Sequence, residues 1–493
     1  MAIFVIGILL LIVGYLFYGR LVEATVKPDP KRPTPAMTLA DGIDFVPMPT
    51  WRVYLVQLLN IAGLGPIFGP IMGALWGPQV FLWVVLGCIL GGAVHDFVAG
   101  AMSIRNNGAG LASLIGHYLG KPARHIATFF ILLLMVLVGT VFVKAPADLI
   151  ANLLPAETVG GWFFASDSDF AGSQSWHNIW LWLVMGMIYV YYLIATLLPI
   201  DKLIGRIYPI FAVALLIMVA GLAWATLFGD LAAPTFTLDN LHPDGAVAWP
   251  IIFITVSCGA ISGFHATQSP MMARCLKSEK HMRLVFYGAM IAEGLIALIW
   301  ASASQGYYGS VEALSAALSE SGPAGVVHTI CVTTMGTFGG ILALLGVVVL
   351  PITSGDTAFR VARLIVADYT KLCQKKVVNR YKIVLPLFAV SLALQFIPFG
   401  VIWRYFGWAN QTLAAVALWT GAVFLARQGR FWWIAAGPAT FMTVMTTTFL
   451  MVAKQGLGLS QTVGTIIGLV LGIGALAAFL IALPRLQPEK DDA

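Results

Sequence analysis

Apolar residues in this chain come in unbroken blocks near 20 residues long, and the blocks recur from one end to the other. A helix of that length spans the hydrocarbon core of a bilayer. The pattern predicts about 13 spans, at roughly 2–19, 51–77, 79–104, 125–146, 178–199, 208–228, 249–271, 284–306, 326–355, 382–402, 406–425, 432–452 and 462–483. Of 493 residues 59% are hydrophobic and 10% charged, against about 25% charged in soluble domains. The chain therefore reads as an all-α polytopic membrane protein whose first partner is a lipid bilayer. A barrel needs many short alternating segments, and the sequence has none. The first block resembles a signal peptide, but Tyr18-Gly-Arg20 ends it without a small-residue cleavage site, so it reads as an uncleaved helix.

Charge then orients the spans. With the N-terminus outside and the C-terminus inside, 25 of the 28 Lys and Arg residues fall in inside segments, leaving Lys144, Arg404 and Lys454. Cytoplasmic loops carry such an excess. The net charge of +6 is accounted for as this topology bias, so no nucleic-acid partner is expected. The large outside loops, 147–177, 229–248 and 307–325, contain no Lys or Arg. The basic stretch from Arg360 to Arg380 reads as a short amphipathic helix on the inner face or a solvated loop.

Two spans are interrupted at mid-depth. The second contains Asn60-Ile-Ala-Gly-Leu-Gly-Pro-Ile-Phe-Gly-Pro70, and the seventh contains Ser257-Cys-Gly-Ala-Ile-Ser-Gly-Phe-His-Ala-Thr-Gln-Ser-Pro270. They lie five spans apart with opposite orientation, so 51–228 and 249–425 form two five-helix units of inverted topology. Residues 1–50 supply a first helix and loop, 432–483 two peripheral helices, and 484–493 a tail. A broken helix frees backbone groups that hydrocarbon cannot satisfy. In paired inverted repeats such breaks mark the binding site of a secondary transporter. The bland alternative, glycines for kinking and close packing, weakens when two breaks match. The site then comprises Asn60, Ala62, Gly63 and Gly65 opposite Ser257, Gly259, Ser262, Gly263, His265 and Gln268, with half-helix N-termini holding a carboxylate. Asn410 and Gln411 of the eleventh span line the path.

Ionisable residues at membrane depth are functional candidates. Asp356, flanked by Thr353 and Ser354, is the first candidate for ion coupling; an ion pair to Arg360 is its structural alternative. Asp96 is the second, with pairing to an arginine as its alternative. Glu293 lies in the eighth span, and His95 beside Asp96. Thr353, Ser354 and freed carbonyls of the second span would equally make an oxygen cage for Na⁺, so the coupling ion is H⁺ or Na⁺, and no other cofactor is expected. The five cysteines show no zinc spacing. Catalysis finds no support: His95 and Asp96 point apart as neighbours on a helix, and there is no Walker loop or nucleophile elbow. A channel or membrane receptor is the other class. No oligomeric state is implied.

The pieces DGIDFVP (41–47), NIAGLGPIFGP (60–70), GAVHDF (92–97), CGAISGFHA (258–266), GDTAFRVARL (355–364) and YFGWANQTLA (405–414) resemble the carbon starvation protein A (CstA) family. The resemblance implies a LeuT-like fold of the amino acid–polyamine–cation superfamily, with a 5+5 inverted-repeat core and two discontinuous helices. It also implies uptake of a small nutrient across the bacterial cytoplasmic membrane under carbon limitation. The solutes associated with the family are pyruvate, driven by protons, and peptides. The chain departs from the family pattern where TQSPMM follows FHA in place of a serine-rich run, and where Thr353-Ser354-Gly355 replaces a Thr-Thr pair and Leu. It also lacks the C-terminal extension of longer members.

Overall fold

The computed structural model describes residues 2–486 except 43, 164–172, 196–199, 230, 232–236, 375 and 455; the side chains of 152–153, 200–210, 347–350, 353 and 368 also lie outside the description. Among the described residues the regular elements are all helices, joined by loops that make two isolated bridges, Pro33 to Ser278 and Met48 to Leu276. Helix α1 (Ala2–Val26) leads to a pair, α2 (Thr50–Ile61) and α3 (Gly65–Gly73), bent by 45° at the predicted interruption. Then come α4 (Gln79–Arg105), α5 (Lys121–Leu153), α6 (Gln174–Ala195) and α7 (Ile200–Phe228). The second interrupted pair is α8 (Ala248–Thr255) and α9 (His265–Ala273). After it run α10 (Ala289–Tyr308), α11 (Val311–Ala343), α12 (Leu350–Thr370), α13 (Val377–Leu394), α14 (Phe399–Arg427), α15 (Trp433–Val452) and α16 (Gln461–Ala482).

Among the described residues, 11 helices are long and apolar enough to cross a membrane, or up to 12 if the bent pair counts as one. The predicted span 249–271 is met instead by the two short helices α8 and α9. Helices α4, α5, α10 and α14 are buried among their neighbours, whereas α1, α6, α13 and α16 turn most of their apolar surface outward. Apolar outer surfaces are what lipid requires of the rim of a bundle.

One predicted span is not a single straight helix. The block 326–355 lies in a helical stretch broken at Gly322 (φ +66°) and Gly336 (φ +63°), after which helix continues through a π turn, Leu344–Val349, to Thr370. Both breaks use backbone conformations that favour glycine. The candidate crossing helix here is Val311–Gly346, and Asp356 lies beyond it, within α12. The predicted surface helix from Arg360 onward is instead the second half of α12, with Arg360 and Arg363 buried. Similarly, 382–402 ends early at Leu394, because Pro398 cannot continue a helix and instead precedes the first turn of α14.

The peripheral pair α15–α16 is held by close approach. Gly464, Gly468 and Gly472, four residues apart, face Val444, Thr448 and Val452, and a Cβ on Gly468 would lie 2.7 Å from the Val444 carbonyl oxygen. At the other end of the chain, the loop after α1 is stitched to the loop after α9. Thr34 Oγ1 donates to the Leu276 carbonyl at 2.6 Å and Asp29 N–H to Glu279 Oε2 at 2.7 Å. Arg105 approaches the same buried carboxylate at 3.5 Å.

Candidate functional site

The two interruptions meet inside the bundle. Gly65 packs on the side chain of Cys258, and a Cβ on Gly69 would lie 3.0 Å from the Thr255 carbonyl oxygen. The glycines of α3 therefore serve the approach of one break to the other. Gly65 is a packing residue, and the break displays its polar groups elsewhere.

The second break is splinted by α14. Asn410 Oδ1 accepts the Phe264 N–H at 2.8 Å, its Nδ2 donates to Ser262 Oγ at 3.0 Å, and its carbonyl accepts the Gly263 N–H at 3.2 Å. Gln411 Nε2 donates to the Phe253 carbonyl near the end of α8 at 2.8 Å. These two amides hold the break, and Gln411 Oε1 is buried without a hydrogen-bond partner. Gly263 has no room for a Cβ, which would lie 2.6 Å from Ala414 N. Gly259, at φ +85°, donates its N–H to Glu293 Oε1 at 3.1 Å. The N–H groups of Gly259, Gly263 and Phe264 are thus engaged by protein acceptors, and the expected capture of a carboxylate at the start of α9 loses these donors.

His265, the first residue of α9, is fully buried. Its Nδ1 is 3.1 Å from Asp96 Oδ2, and its Nε2 is 3.5 Å from Glu293 Oε2. His95 Nδ1 lies 2.8 Å from Asp96 Oδ1. Neighbours on a helix are about 100° apart, which argued against a His95–Asp96 contact. The structure has one, because the two oxygens of Asp96 serve two imidazoles on different sides. Asp96 therefore pairs with histidines, not with an arginine.

Asp356 is remote from this network in sequence and in its partners. It faces Arg360, whose Nη2 is 3.7 Å away and donates to the Ala195 carbonyl at 3.0 Å. The arrangement found is thus the ion pair one turn on. Ser354 Oγ reaches the Leu59 carbonyl at 3.5 Å, and Gly63 lies against the same hydroxyl. The side chain of Thr353 lies outside the described residues. Ala62 and Ser257 are buried at the two breaks.

Asn60, in the last turn of α2, is buried with neither amide atom hydrogen-bonded. Gln268 donates to Thr267 Oγ1 at 3.0 Å, leaving Oε1 without a partner. Gln57, which the sequence reading passed over, is buried as well; its Nε2 donates to Ser269 Oγ at 3.3 Å and its Oε1 is unpartnered. It stands three residues before Asn60, on the same helix face, and that spacing was the available signal. Cys258 was passed over too, since its neighbours come from other helices.

The architecture is that of an all-helical protein with 11 or 12 candidate membrane helices among the described residues. It is similar to the inward-facing conformation of Mhp1, with a TM-score of 0.50 and 16% identity, covering 89% of this chain and 93% of that one. The family model of the carbon starvation protein CstA matches residues 1–161, 149–325 and 320–449. The chain belongs to this family. An uncharacterized membrane protein of Haemophilus influenzae is 41% identical over 63% of this chain and 92% of its own. The peptide transporter CstA of Campylobacter jejuni is 28% identical over 90% of this chain and 78% of its own. The pyruvate/proton symporter BtsT of Escherichia coli is 28% identical over 58% of this chain and 46% of its own.

Proposed function

We propose that this chain is a secondary active transporter that imports a small carboxylate-bearing nutrient by proton symport and alternating access. In this reading it sits in the bacterial cytoplasmic membrane, N-terminus outside and C-terminus inside. Residues 51–228 and 249–425 act as inverted repeats of the amino acid–polyamine–cation type. One observation carries the proposal: two interrupted helices meet where the buried amides of Gln57, Asn60 and Gln268 keep unpartnered atoms. Each such atom costs about 1–3 kcal/mol, which a bound solute recovers. The transporter names of the relatives support the class.

The sequence reading favours pyruvate. The amides favour a second solute class. Three of the four open atoms, Gln57 Oε1, Asn60 Oδ1 and Gln268 Oε1, are acceptors. Pyruvate has no N–H to offer them, whereas an amino acid or short peptide brings an ammonium and amides. Asn60 Nδ2 remains as a donor for the carboxylate that both classes carry.

For coupling, the proposal keeps Asp356. Its Oδ2 has no hydrogen bond, and the Arg360 contact at 3.7 Å is longer than a tight charge-assisted bond. A proton on Asp356 releases Arg360 in the helix whose Ser354 touches the α2 break. Na⁺ is the alternative ion, with Ser354 Oγ and the Leu59 carbonyl as oxygen ligands. Thermal stability of the purified protein, screened against pyruvate, other short carboxylates, amino acids, dipeptides and tripeptides, tests the solute, since a ligand of the folded form raises its stability. A stabilising hit confined to one class selects it; none from any class overturns the site.

A further inference from the structure

We propose that Cys258, His265 and Glu293 form a zinc-type metal site that joins the second interrupted helix to α10. The inference stands apart from the transport reading. Their ligand atoms (a thiol sulfur, an imidazole nitrogen and a carboxylate oxygen) lie within 4.8 Å of one another, and all three residues are buried. Zinc holds nitrogen and oxygen at about 2.0–2.2 Å and sulfur at about 2.3 Å in a tetrahedron, so two donors on one ion stand roughly 3.3–3.7 Å apart. The His265 Nε2 to Glu293 Oε2 distance of 3.5 Å is already such an edge. Starting within 4.8 Å, the thiol closes on them by at most roughly 1–1.5 Å to reach such an edge.

The donors are oriented from behind. Neither His265 Nε2 nor Glu293 Oε2 has a hydrogen-bond partner. The other nitrogen of His265 is engaged by Asp96 at 3.1 Å, and Asp96 is in turn held by His95 at 2.8 Å. A carboxylate behind a histidine is the usual support of a metal-binding imidazole. The other oxygen of Glu293 is fixed by the Gly259 N–H at 3.1 Å. His265 and Glu293 thus each offer a free atom beside the Cys258 thiol. The Cys258 thiol meets Ser262 Oγ at 3.5 Å, a weak contact that a thiolate bound to an ion gives up.

Charge and donor type agree. A thiolate and a carboxylate carry two negative charges, which a divalent ion cancels in a place where unbalanced charge is costly. Sulfur, nitrogen and oxygen together suit zinc and exclude the hard ions Mg²⁺ and Ca²⁺. An imidazolium between two carboxylates is the competing arrangement. It explains the contacts with Asp96 and Glu293, but not the thiol at the same point. The sequence shows no zinc spacing because the donors are brought together by a break and a separate helix.

The test uses purified full-length protein, stripped with a chelator and titrated with Co²⁺, then Zn²⁺. The expected result is one Co²⁺ per chain with the visible absorption of tetrahedral cobalt and a thiolate charge-transfer band, both lost on adding Zn²⁺. Cys258→Ser is expected to remove the charge-transfer band and Glu293→Gln to abolish binding. Asp96→Asn is expected to weaken binding roughly 10- to 100-fold. The near-isosteric Cys258→Ser keeps the test decisive if Glu293→Gln does not fold. Absence of stoichiometric Co²⁺ binding, or a spectrum that Cys258→Ser leaves unaltered, overturns the site.

Discussion

Replacing Asn410 by Ala removes the splint of the second break. The side chain accepts the Phe264 N–H at 2.8 Å and meets Ser262 Oγ at 3.0 and 3.1 Å. After truncation the Phe264 N–H is buried without an acceptor, and Ser262 keeps only the 3.5 Å contact to Cys258 Sγ. The orphaned backbone donor costs about 1–3 kcal/mol and the hydroxyl about 1. The lost amide volume adds about 1 more in a close-packed interior. The expected loss is therefore roughly 3–5 kcal/mol. Ser262→Ala removes only the side-chain pair and should cost about 1 kcal/mol. The double variant should fall short of additive, because both changes break the same contact. Reversible unfolding by SDS in mixed micelles reads the three differences under one condition. A loss below about 1 kcal/mol for Asn410→Ala, or strict additivity with Ser262→Ala, refutes the reasoning that this amide holds the break.

Other outcomes follow from the same geometry. Asn60→Ala breaks no hydrogen bond within the protein, so it should leave stability within about 1 kcal/mol while weakening solute binding about tenfold, which isothermal calorimetry measures. Asp356→Asn should abolish pH-driven accumulation and spare counterflow in proteoliposomes; unchanged accumulation removes Asp356 from coupling. Cys373 is exposed and the other four cysteines are buried. Burial also pushes the Cys275 thiol, in the loop after α9, up to about 12. A membrane-impermeant maleimide should therefore label Cys373 alone, in inside-out vesicles and not in right-side-out ones; the reverse inverts the proposed topology. Glu279→Ala strips Asp29 N–H and Arg105 of a buried carboxylate and should cost about 3 kcal/mol in the same SDS unfolding assay.

The spans were legible because bilayer thickness fixes their length and any polar residue inside one stands out. The interruptions were legible for the same reason: NIAGLGPIFGP and SCGAISGFHATQSP place glycine and proline where a helix is otherwise uniform. Hydropathy did not show the break at Gly336 inside the apolar run 326–355, nor that the helix after it carries Asp356, Arg360 and Arg363 in buried positions. Composition cannot distinguish a basic residue in a loop from one paired across a turn. The sequence flags polar residues within spans without fixing their roles. Asn410 and Gln411 are polar on an apolar helix, which flags them equally as lining or as splint; only their partners across the bundle decide. His95 and Asp96 were separated by helical geometry that considers Cα directions and neglects the two-sided reach of a carboxylate. The convergence of Cys258, His265 and Glu293 depends on the fold of a nine-residue gap, 256–264, between α8 and α9, where no periodicity operates.

Carrier-type, proton-driven uptake is measured directly as solute accumulation in proteoliposomes containing only this protein, with the lumen made alkaline. The account predicts that a labelled short peptide, amino acid or pyruvate accumulates above equilibrium and is released by a protonophore. It also predicts that entry is accelerated by the same unlabelled solute inside. Equilibration without accumulation, indifferent to solute on the far side, would mark a channel and contradict it.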